Sequence, residues 1–503
     1  MTEHSPRSAA VEIVERLQKA GHSAFWVGGC VRDFLLGREP GDYDIATSAR
    51  PEQVEKLFKR TVAVGRKFGV MVVLEGGHQF QVAAFRAEAD YRDGRHPEQV
   101  TFGDAQADAQ RRDFTVNGLF YDPVAEKLHD WVGGEKDLRA KIIRTIGSPG
   151  ERFAEDHLRL LRAVRFAAQL GFKIEPQTFA AVRTLAPKIE LISAERIRDE
   201  LIKLFSPPHE NVSLSSLEGG EDRGEEADNF KTHHPSPQPS PRLGGAREKM
   251  ISPAARGLVL LRDSGLLPGV LPELVATIVC EQSPDFHPEG TVFEHIRLML
   301  EKMATDPPSP RSGFGAASAH PSLPWAVILH DIAKPATAER DPATGKIHFY
   351  GHEKVGAALA GRILQRLRFP KKQTDEIVAC VRQHMQFKDV KQMRKATLRR
   401  LLLRKTFPLE LELHRLDCLG SHGVLDHYEF LVQQAAELEK QPAIRPPLLT
   451  GDDLIALGVK PGPAMGALLA EIREKQLQDE LKTPRQARAW VKKQMQATND
   501  RSD

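Results

Sequence analysis

Apolar residues between positions 8 and 20 fall three and four apart, which predicts an amphipathic helix. Phe25-Trp26-Val27 then reads as a short strand, and Val31 to Leu36 as a helix that follows a glycine pair, Gly28-Gly29. Short apolar runs at Ala63–Val64, Val70–Leu74, Phe80–Phe85 and Leu119–Tyr121 predict further strands. Strands mixed with helices up to about residue 140 predict an α/β head. From Phe153 to Phe205 the spacing is helical throughout. Residues 206–250 break it with a Ser/Pro/Gly/Glu-rich stretch that contains Pro235-Ser-Pro-Gln-Pro-Ser-Pro and too little apolar content to pack. Helical spacing resumes at Ala254, so residues 209–250 read as a disordered insertion within one helical domain. Residues 304–322, with Thr305-Asp-Pro-Pro-Ser-Pro, read as a second loop.

Composition narrows the class. A chain of 503 residues holds about two to four domains at typical sizes, and 41% hydrophobic with 28% charged residues is ordinary for a globular protein. No stretch has the length and apolarity of a membrane span, and Met1-Thr-Glu-His-Ser-Pro has no signal-peptide character. Cys30, Cys280, Cys380 and Cys418 show no paired spacing, which suits a reducing cytoplasm. The net charge of +3 says little, but residues 361–405 carry 14 Lys/Arg against 3 Asp/Glu, as either a solvated helical face or one that meets RNA.

The chemistry starts at the glycine pair. Gly28 and Gly29 free backbone N–H groups to approach phosphate, and Arg32 and Asp33 are placed at the opening of the next helix, where anions bind well. Asp42 and Asp44 follow at i, i+2. On a strand such side chains share a face, so the pair can hold Mg2+, a hard cation that takes oxygen ligands and bridges polyphosphates. Such pairs also cap helices and turns, and it is the glycine turn before this one that favours catalysis.

Further motifs follow in order: Arg111-Arg112-Asp113-Phe114-Thr-Val-Asn117-Gly, Asp130-Trp-Val-Gly-Gly134-Glu-Lys-Asp137-Leu138 ending at Arg144, Glu155-Asp156-His-Leu-Arg159-Leu-Leu-Arg162-Ala-Val-Arg165-Phe166, and Glu195-Arg196-Ile197. With the glycine and aspartate motif they make residues 20–205 resemble the class II tRNA nucleotidyltransferases (CCA-adding enzymes) and the bacterial poly(A) polymerases. The resemblance implies a polymerase-beta-like α/β nucleotidyltransferase head followed by a mainly helical neck. It implies that Arg112, Asp113 and Asn117 face the sugar and phosphates, that the Asp130–Arg144 element ties head to neck, and that Asp156 and Arg159 read the base. Asp156, Arg159, Arg162 and Arg165 recur every three residues and are expected as one stripe along a helix. A carboxylate that accepts beside a guanidinium that donates suits an exocyclic amine next to an unprotonated ring nitrogen, the edge that adenine and cytosine share. Arg162 and Arg165 are expected to meet phosphate; a charged stripe with intrahelical pairs would look the same. Many relatives carry an acid in the strand before Phe85-Arg86, where this chain has Gln81, and Ala87 to Val100 resembles the family's flexible loop.

Downstream, His295, His330-Asp331, His352, His384 and Asp417 resemble, in order and spacing, an HD-type phosphohydrolase domain. His295, His330, Asp331 and Asp417 complete that pattern and imply a second divalent metal. Leu457-Gly458 to Gly466 reads as a tight turn before an amphipathic helix, and the resemblance implies contact with the tRNA body. The expected organisation is a head at 1–145, a neck at 146–275 interrupted at 209–250, an HD-like domain at 276–440 and a helical tail at 441–503. The expected activity is template-independent transfer from CTP and ATP to a tRNA 3′ end, with Mg2+ and with no membrane partner. A poly(A) polymerase acting on other RNAs, or an HD phosphohydrolase with an RNA-binding head, are the alternatives.

Overall fold

The computed structural model describes residues 5–65, 69–87, 102–206, 251–307, 315–440 and 446–499. The insertion expected at 209–250 lies outside them, as does the polar loop beyond Ala87. The chain forms two compact units, Met1–Val270 and Leu271–Asp503.

The first unit begins with α1 (Pro6–Lys19), which starts where Ser5 accepts a hydrogen bond from the Ser8 N–H and Pro6 sets the first turn. It buries Ala9, Ala10, Ile13, Val14 and Leu17. The head continues through β1 (Ala24–Val27), α2 (Gly29–Leu35), β2 (Ile45–Thr47), α3 (Pro51–Leu57), β3 (Thr61–Gly65), β4 (Val70–Glu75) and β5 (His78–Ala84). Then come α4 (Ala105–Gln110), β6 (Phe120–Asp122), β7 (Lys127–His129), α5 (Gly134–Ala140) and β8 (Ile142–Ile143). Seven strands form one sheet in the order β3-β4-β5-β2-β1-β6-β7. Only β2 and β5 run parallel, with Ile45 opposite Val82; β1 pairs antiparallel to both β2 and β6. The glycine turn after β1 and the aspartates before β2 thus lie at one end of adjacent central strands.

The neck holds α6 (Pro149–Glu155), α7 (Leu158–Leu170), β9 (Lys173–Ile174), α8 (Pro176–Leu185), α9 (Ala194–Phe205), α10 (Pro253–Asp263) and α11 (Leu267–Val270). α7 ends at Gly171, whose φ of 72° fits a left-handed cap. Gly257 of α10 sits against Leu204 of α9, where a Cβ would come within 2.6 Å of a Leu204 methyl. The chain on either side of residues 207–250 therefore packs as neighbouring helices. Head and neck meet through β8 and β9, which pair parallel, and through Arg144, bonded to Asp137 at 3.0 Å and to Glu175 at 3.4 Å.

The second unit is helical: α12 (Val292–Thr305), α13 (Gly315–Ser318), α14 (Leu323–Leu329), a hairpin β10 (Glu339–Arg340) and β11 (Ile347–His348), α15 (His352–Arg366), α16 (Lys371–Gln383), α17 (Lys395–Leu402), α18 (Phe407–Gly420) and α19 (Asp426–Glu439). The loop expected at 304–322 is thus helical in part. The tail adds α20 (Gly451–Ala456), α21 (Pro463–Leu477) and α22 (Pro484–Asn499) around a core of Leu449, Leu454, Ile472, Leu481, Ala487 and Val491. Much of the basic run at 361–405 is held in ion pairs: Arg399 and Lys395 reach Asp479, Arg400 reaches Glu474, and Arg366 reaches Glu273.

Candidate functional site

Gly28 takes a φ of 76°, open to glycine at little cost. A Cβ there would lie 2.9 Å from the Arg112 guanidinium, so the glycine also lets Arg112 lie over the turn. The helix begins at Gly29, which corrects one expectation: Arg32 and Asp33 stand a turn inside α2 rather than at its opening. Strand β2 begins only at Ile45, so Asp42 and Asp44 occupy the extended approach to the strand and not the strand itself. The alternation persists there. Tyr43 is buried against Trp26, 4.8 Å between ring centroids, while Asp42 is exposed and Asp44 half-buried. Neither carboxylate makes a hydrogen bond or ion pair among the described residues. Burial, with Asp42 beside it, pushes the Asp44 carboxyl up to about 6 against the pull of Arg112. Two neighbouring acids with no ion-pair partner among the described residues are a fit for a divalent cation.

The second and fourth motifs join in one polar chain. Arg32 bonds Asp33 through two 2.9 Å contacts and donates to Asn117 Oδ1 at 2.8 Å. Asn117 Nδ2 donates to Asp113 at 3.2 Å, and Arg162 closes on the other Asp113 oxygen at 2.6 Å. Arg162 also reaches Glu200 at 3.5 Å, and Arg165 reaches Glu200 at 2.6 Å. Asp113 is held below the usual carboxylate range: burial opposes this, and the Arg162 guanidinium outweighs it. Arg111 and Arg112 both clasp Asp108, a buried acid absent from the sequence expectation.

The fourth motif departs from a single helical stripe. Asp156 is the extended residue between α6 and α7, with φ −149° and ψ 104°, and only Arg159, Arg162 and Arg165 lie on α7. The break turns Asp156 toward Arg196, 2.7 Å away, while Arg159 bonds Glu155 at 2.5 Å and the Arg152 carbonyl at 2.9 Å. Arg165 is buried, its Nε on Glu200, its Nη1 on Gln169 and its guanidinium 4.0 Å from the Phe166 ring. That placement leaves it no face for phosphate and corrects the expected role; Arg162 keeps a third of its side chain exposed. Glu200 was missed because an acid on an amphipathic helix reads as solvated.

In the second unit, α14 is wholly apolar and ends at His330, so the His330-Asp331 doublet is delivered into the core. Four histidines are oriented alike. Nδ1 of His330, His352 and His384 lies 2.9, 2.6 and 2.7 Å from the carbonyls of Val327, Phe349 and Val381, and His295 Nδ1 lies 2.7 Å from Glu289. A proton on each Nδ1 leaves an Nε2 lone pair facing inward, the arrangement that orients metal ligands. Nε2 of His352 and His384 face each other at 3.1 Å, with Asp331 Oδ1 at 3.4 and 3.6 Å. His330 Nε2 is 3.0 Å from Asp331 Oδ2, and His295 Nε2 is 3.0 Å from Asp417. Nε2 of His295 and of His330 are both buried without a hydrogen bond. Lone pairs that converge in this way are satisfied by cations. Three groups among the described residues have ligand atoms within 4.8 Å of one another, His287–Glu289–His295, His295–His330–Asp331 and Asp331–His352–His384, and Asp331 is common to the last two. The sequence reading named His295, His330, Asp331 and Asp417 as candidate ligands, and the structure brings His352 and His384 beside Asp331. Lys334 bonds Asp331 at 2.7 Å, and with His330 it holds that buried carboxyl well down.

Comparison with known proteins follows the same division. Residues 24–144 match the poly A polymerase head domain, 171–218 the "Probable RNA and SrmB- binding site of polymerase A", and 291–417 the HD domain. The CCA-adding enzyme of Staphylococcus aureus (strain bovine RF122 / ET3-1) is 46% identical over 206 residues, 41% of this chain and 51% of the relative. That of Geobacillus stearothermophilus is 45% identical over 213 residues, 42% of this chain and 52% of the relative. The matched stretch thus spans about half the length of these curated relatives. The solved CCA-adding enzyme of Bacillus stearothermophilus in complex with CTP shares the fold, with a TM-score of 0.65 and 24% identity over 99% of this chain and 100% of that one. The Thermotoga maritima enzyme complexed with tRNA gives 0.53 and 17% over 98% and 97%. No described helix is long and apolar enough to cross a membrane. The chain thus carries segments that match the poly A polymerase head domain and the HD domain, and its matched stretch is similar to about half the length of these curated CCA-adding enzymes.

Proposed function

We propose that the head transfers nucleoside monophosphates from CTP and ATP to the 3′ end of tRNA without a nucleic-acid template, releasing pyrophosphate. The observation that carries this reading is the Asp42–Asp44 pair, unpartnered beside the Gly28 turn and beneath Arg112. Those two carboxylates would hold Mg2+, which when bound supplies charge neutralisation for the triphosphate and a lower pKa for the attacking hydroxyl. Gly28 and Gly29 let the phosphates approach the backbone. Arg112 and Arg32 offer guanidinium donors there, Arg112 directed by Asp108 and Arg32 by Asp33 and by Asn117, which Asp113 holds in turn, and Arg162 adds positive charge from the neck. Asp156 accepts from the exocyclic amine of cytosine or adenine, and Arg159 donates to the ring nitrogen beside it. Guanine and uracil present the reverse pattern and set donor against donor and acceptor against acceptor, which is unfavourable.

The second unit favours a further reading, a metal phosphohydrolase centre. His295, His330, Asp331, His352, His384 and Asp417 would hold two divalent ions that share Asp331, and imidazole-rich sites suit transition metals. Four buried cysteines without a disulfide accord with a reducing compartment.

Labelled CTP and ATP, alone and together, on tRNA lacking C-C-A, on tRNA ending in C-C and on an unstructured RNA, test the transferase reading. Two C and one A followed by arrest support CCA addition. A single A only on the C-C end marks an A-adding enzyme, and long A tails on any RNA mark a poly(A) polymerase. Incorporation that survives Asp42→Ala rejects the assigned site. Incorporation lost with Asp42→Ala but kept with Asp331→Ala separates the two centres.

A further inference from the structure

We propose that Tyr350, stacked on His348 at the rim of the HD cavity, is the surface on which a nucleobase lies while its phosphate points toward Asp331. This goes beyond the transferase reading, which concerns the first unit, and it rests on the metal phosphohydrolase reading of the second.

The cavity measures about 1190 Å3 and has Asp331, His352, His384 and Asp417 among its lining residues, room for a nucleotide and more. Three cations on its wall, Lys354, Arg382 and Lys388, have no ion-pair partner among the described residues. A wall of free cations around a metal-ligand cluster selects an anion, and phosphate is the anion that both groups bind well.

The rim adds a different chemistry. Tyr350 is 72% exposed and Phe286 is 63% exposed, though both line the cavity. Burying a large aromatic ring is favourable, so two left exposed at the rim of one cavity mark a surface that can stack on a flat ligand. Tyr350 lies parallel to His348, 5.3 Å between centroids and 15° between planes. One face of the phenol ring is thus supported and the other is open.

The platform is anchored to the cluster. Tyr350 follows Phe349, whose carbonyl fixes His352 Nδ1 at 2.6 Å, and it precedes Gly351, whose φ of 73° turns the chain into α15. Lys346 of the same hairpin pairs with Asp285 at 2.9 Å, beside Phe286. A lipid or an acidic peptide would use the cations and leave the flat ring idle. A nucleoside phosphate uses both, and stacking tolerates any base.

Photo-crosslinking of the full-length protein with 8-azidoadenosine monophosphate, with label mapped by mass spectrometry, tests this. Label is expected within residues 346–354, and adenosine monophosphate should displace it about tenfold better than ribose 5-phosphate. Tyr350→Phe should keep that preference. Tyr350→Ala should erase it while retaining helicity and bound metal. Label confined to the head, or equal displacement by the two competitors, overturns the proposal. A phosphate-terminated oligoadenylate that outcompetes the mononucleotide identifies an RNA end as the source, and the reverse order identifies a free nucleotide; both keep the platform. Protein that binds no metal yet labels at 346–354 rejects the metal centre and leaves the base platform standing.

Discussion

Asp156 is bound to Arg196 at 2.7 Å, so the junction between α6 and α7 is fastened to the first turn of α9. The acid that would face the base is therefore aimed by a residue on another helix. Arg196→Ala should leave the fold intact, because both side chains are partly exposed, and should loosen Asp156. The expected result is about a tenfold fall in the preference for CTP and ATP over UTP and GTP, since a charge-assisted hydrogen bond is worth roughly 1.5–3 kcal/mol. Single-turnover incorporation of all four nucleotides measures it. An unchanged preference would mean that Asp156 is positioned without Arg196.

The i, i+3 recurrence from Asp156 to Arg165 is a case where sequence spacing and structure part. Three of the four residues do share α7, because its apolar positions bury Leu160, Leu161 and Val164 behind them. No glycine or proline marks the break at Asp156, so spacing alone could not place it outside the helix. Strand β2, three residues long, is too short for alternation to show, yet it sets the position of Asp44. The longer elements α1, α7 and α9 were legible because each buries an apolar stripe. His352 and His384 are 32 residues apart in sequence, and only tertiary packing brings their Nε2 atoms face to face.

The Asp44 carboxyl, raised to about 6 by burial and by Asp42, predicts a pH-dependent cost in the metal-free protein. Below about pH 4 it is protonated in both folded and unfolded chains. Between 4 and 6 the folded protein holds the proton more tightly, so stability falls as pH rises through that window. Asp44→Asn removes the cost. In EDTA, the variant and the wild type should unfold together near pH 4, and by pH 7.5 the variant should be more stable by roughly 1–3 kcal/mol. Excess Mg2+ should close the gap. Parallel curves at all pH values would show that Asp44 titrates normally.

Gln81 bears on the same site. Because β2 and β5 pair Ile45 with Val82, Asp44, just before β2, and Gln81, on β5, each precede that pair by one residue, and Gln81 is exposed where Val82 is buried. A carboxylate at this position would add a third negative oxygen ligand to the pair. Gln81→Glu is expected to tighten divalent-ion binding at the head by about tenfold, read by Mn2+ titration under electron spin resonance in an Asp331→Ala background. Unchanged affinity would place residue 81 outside the metal's reach.

The HD ligands make a count possible. With Asp331 common to two groups, His384→Ala should lose one ion and keep the other, while Asp331→Ala should lose both. His427→Ala, at the cavity wall but in neither group, should lose none. Metal-to-protein ratios after dialysis, by plasma mass spectrometry, give two, one, none and two for wild type and the three variants in the order His384, Asp331, His427. A wild-type ratio of one would reject the shared-carboxylate arrangement.

Glu200 joins two arginines of α7 to α9. It is 3% exposed and receives Arg165 at 2.6 Å and Arg162 at 3.5 Å. Replacing it by alanine strands the buried Arg165 guanidinium, which burial already pushes below its usual range despite Glu200. Breaking one side of a buried pair costs about 3–5 kcal/mol. Glu200→Ala should therefore lower the unfolding midpoint of the first unit steeply, whereas Glu200→Gln, which keeps an acceptor for Arg165, should lose less. Arg165→Met in the alanine background should recover much of the loss, since an apolar chain of similar length fills the space beside Phe166 without a charge to satisfy. Equal midpoints for Glu200→Ala with and without Arg165→Met would show that the stability of the neck does not run through this pair.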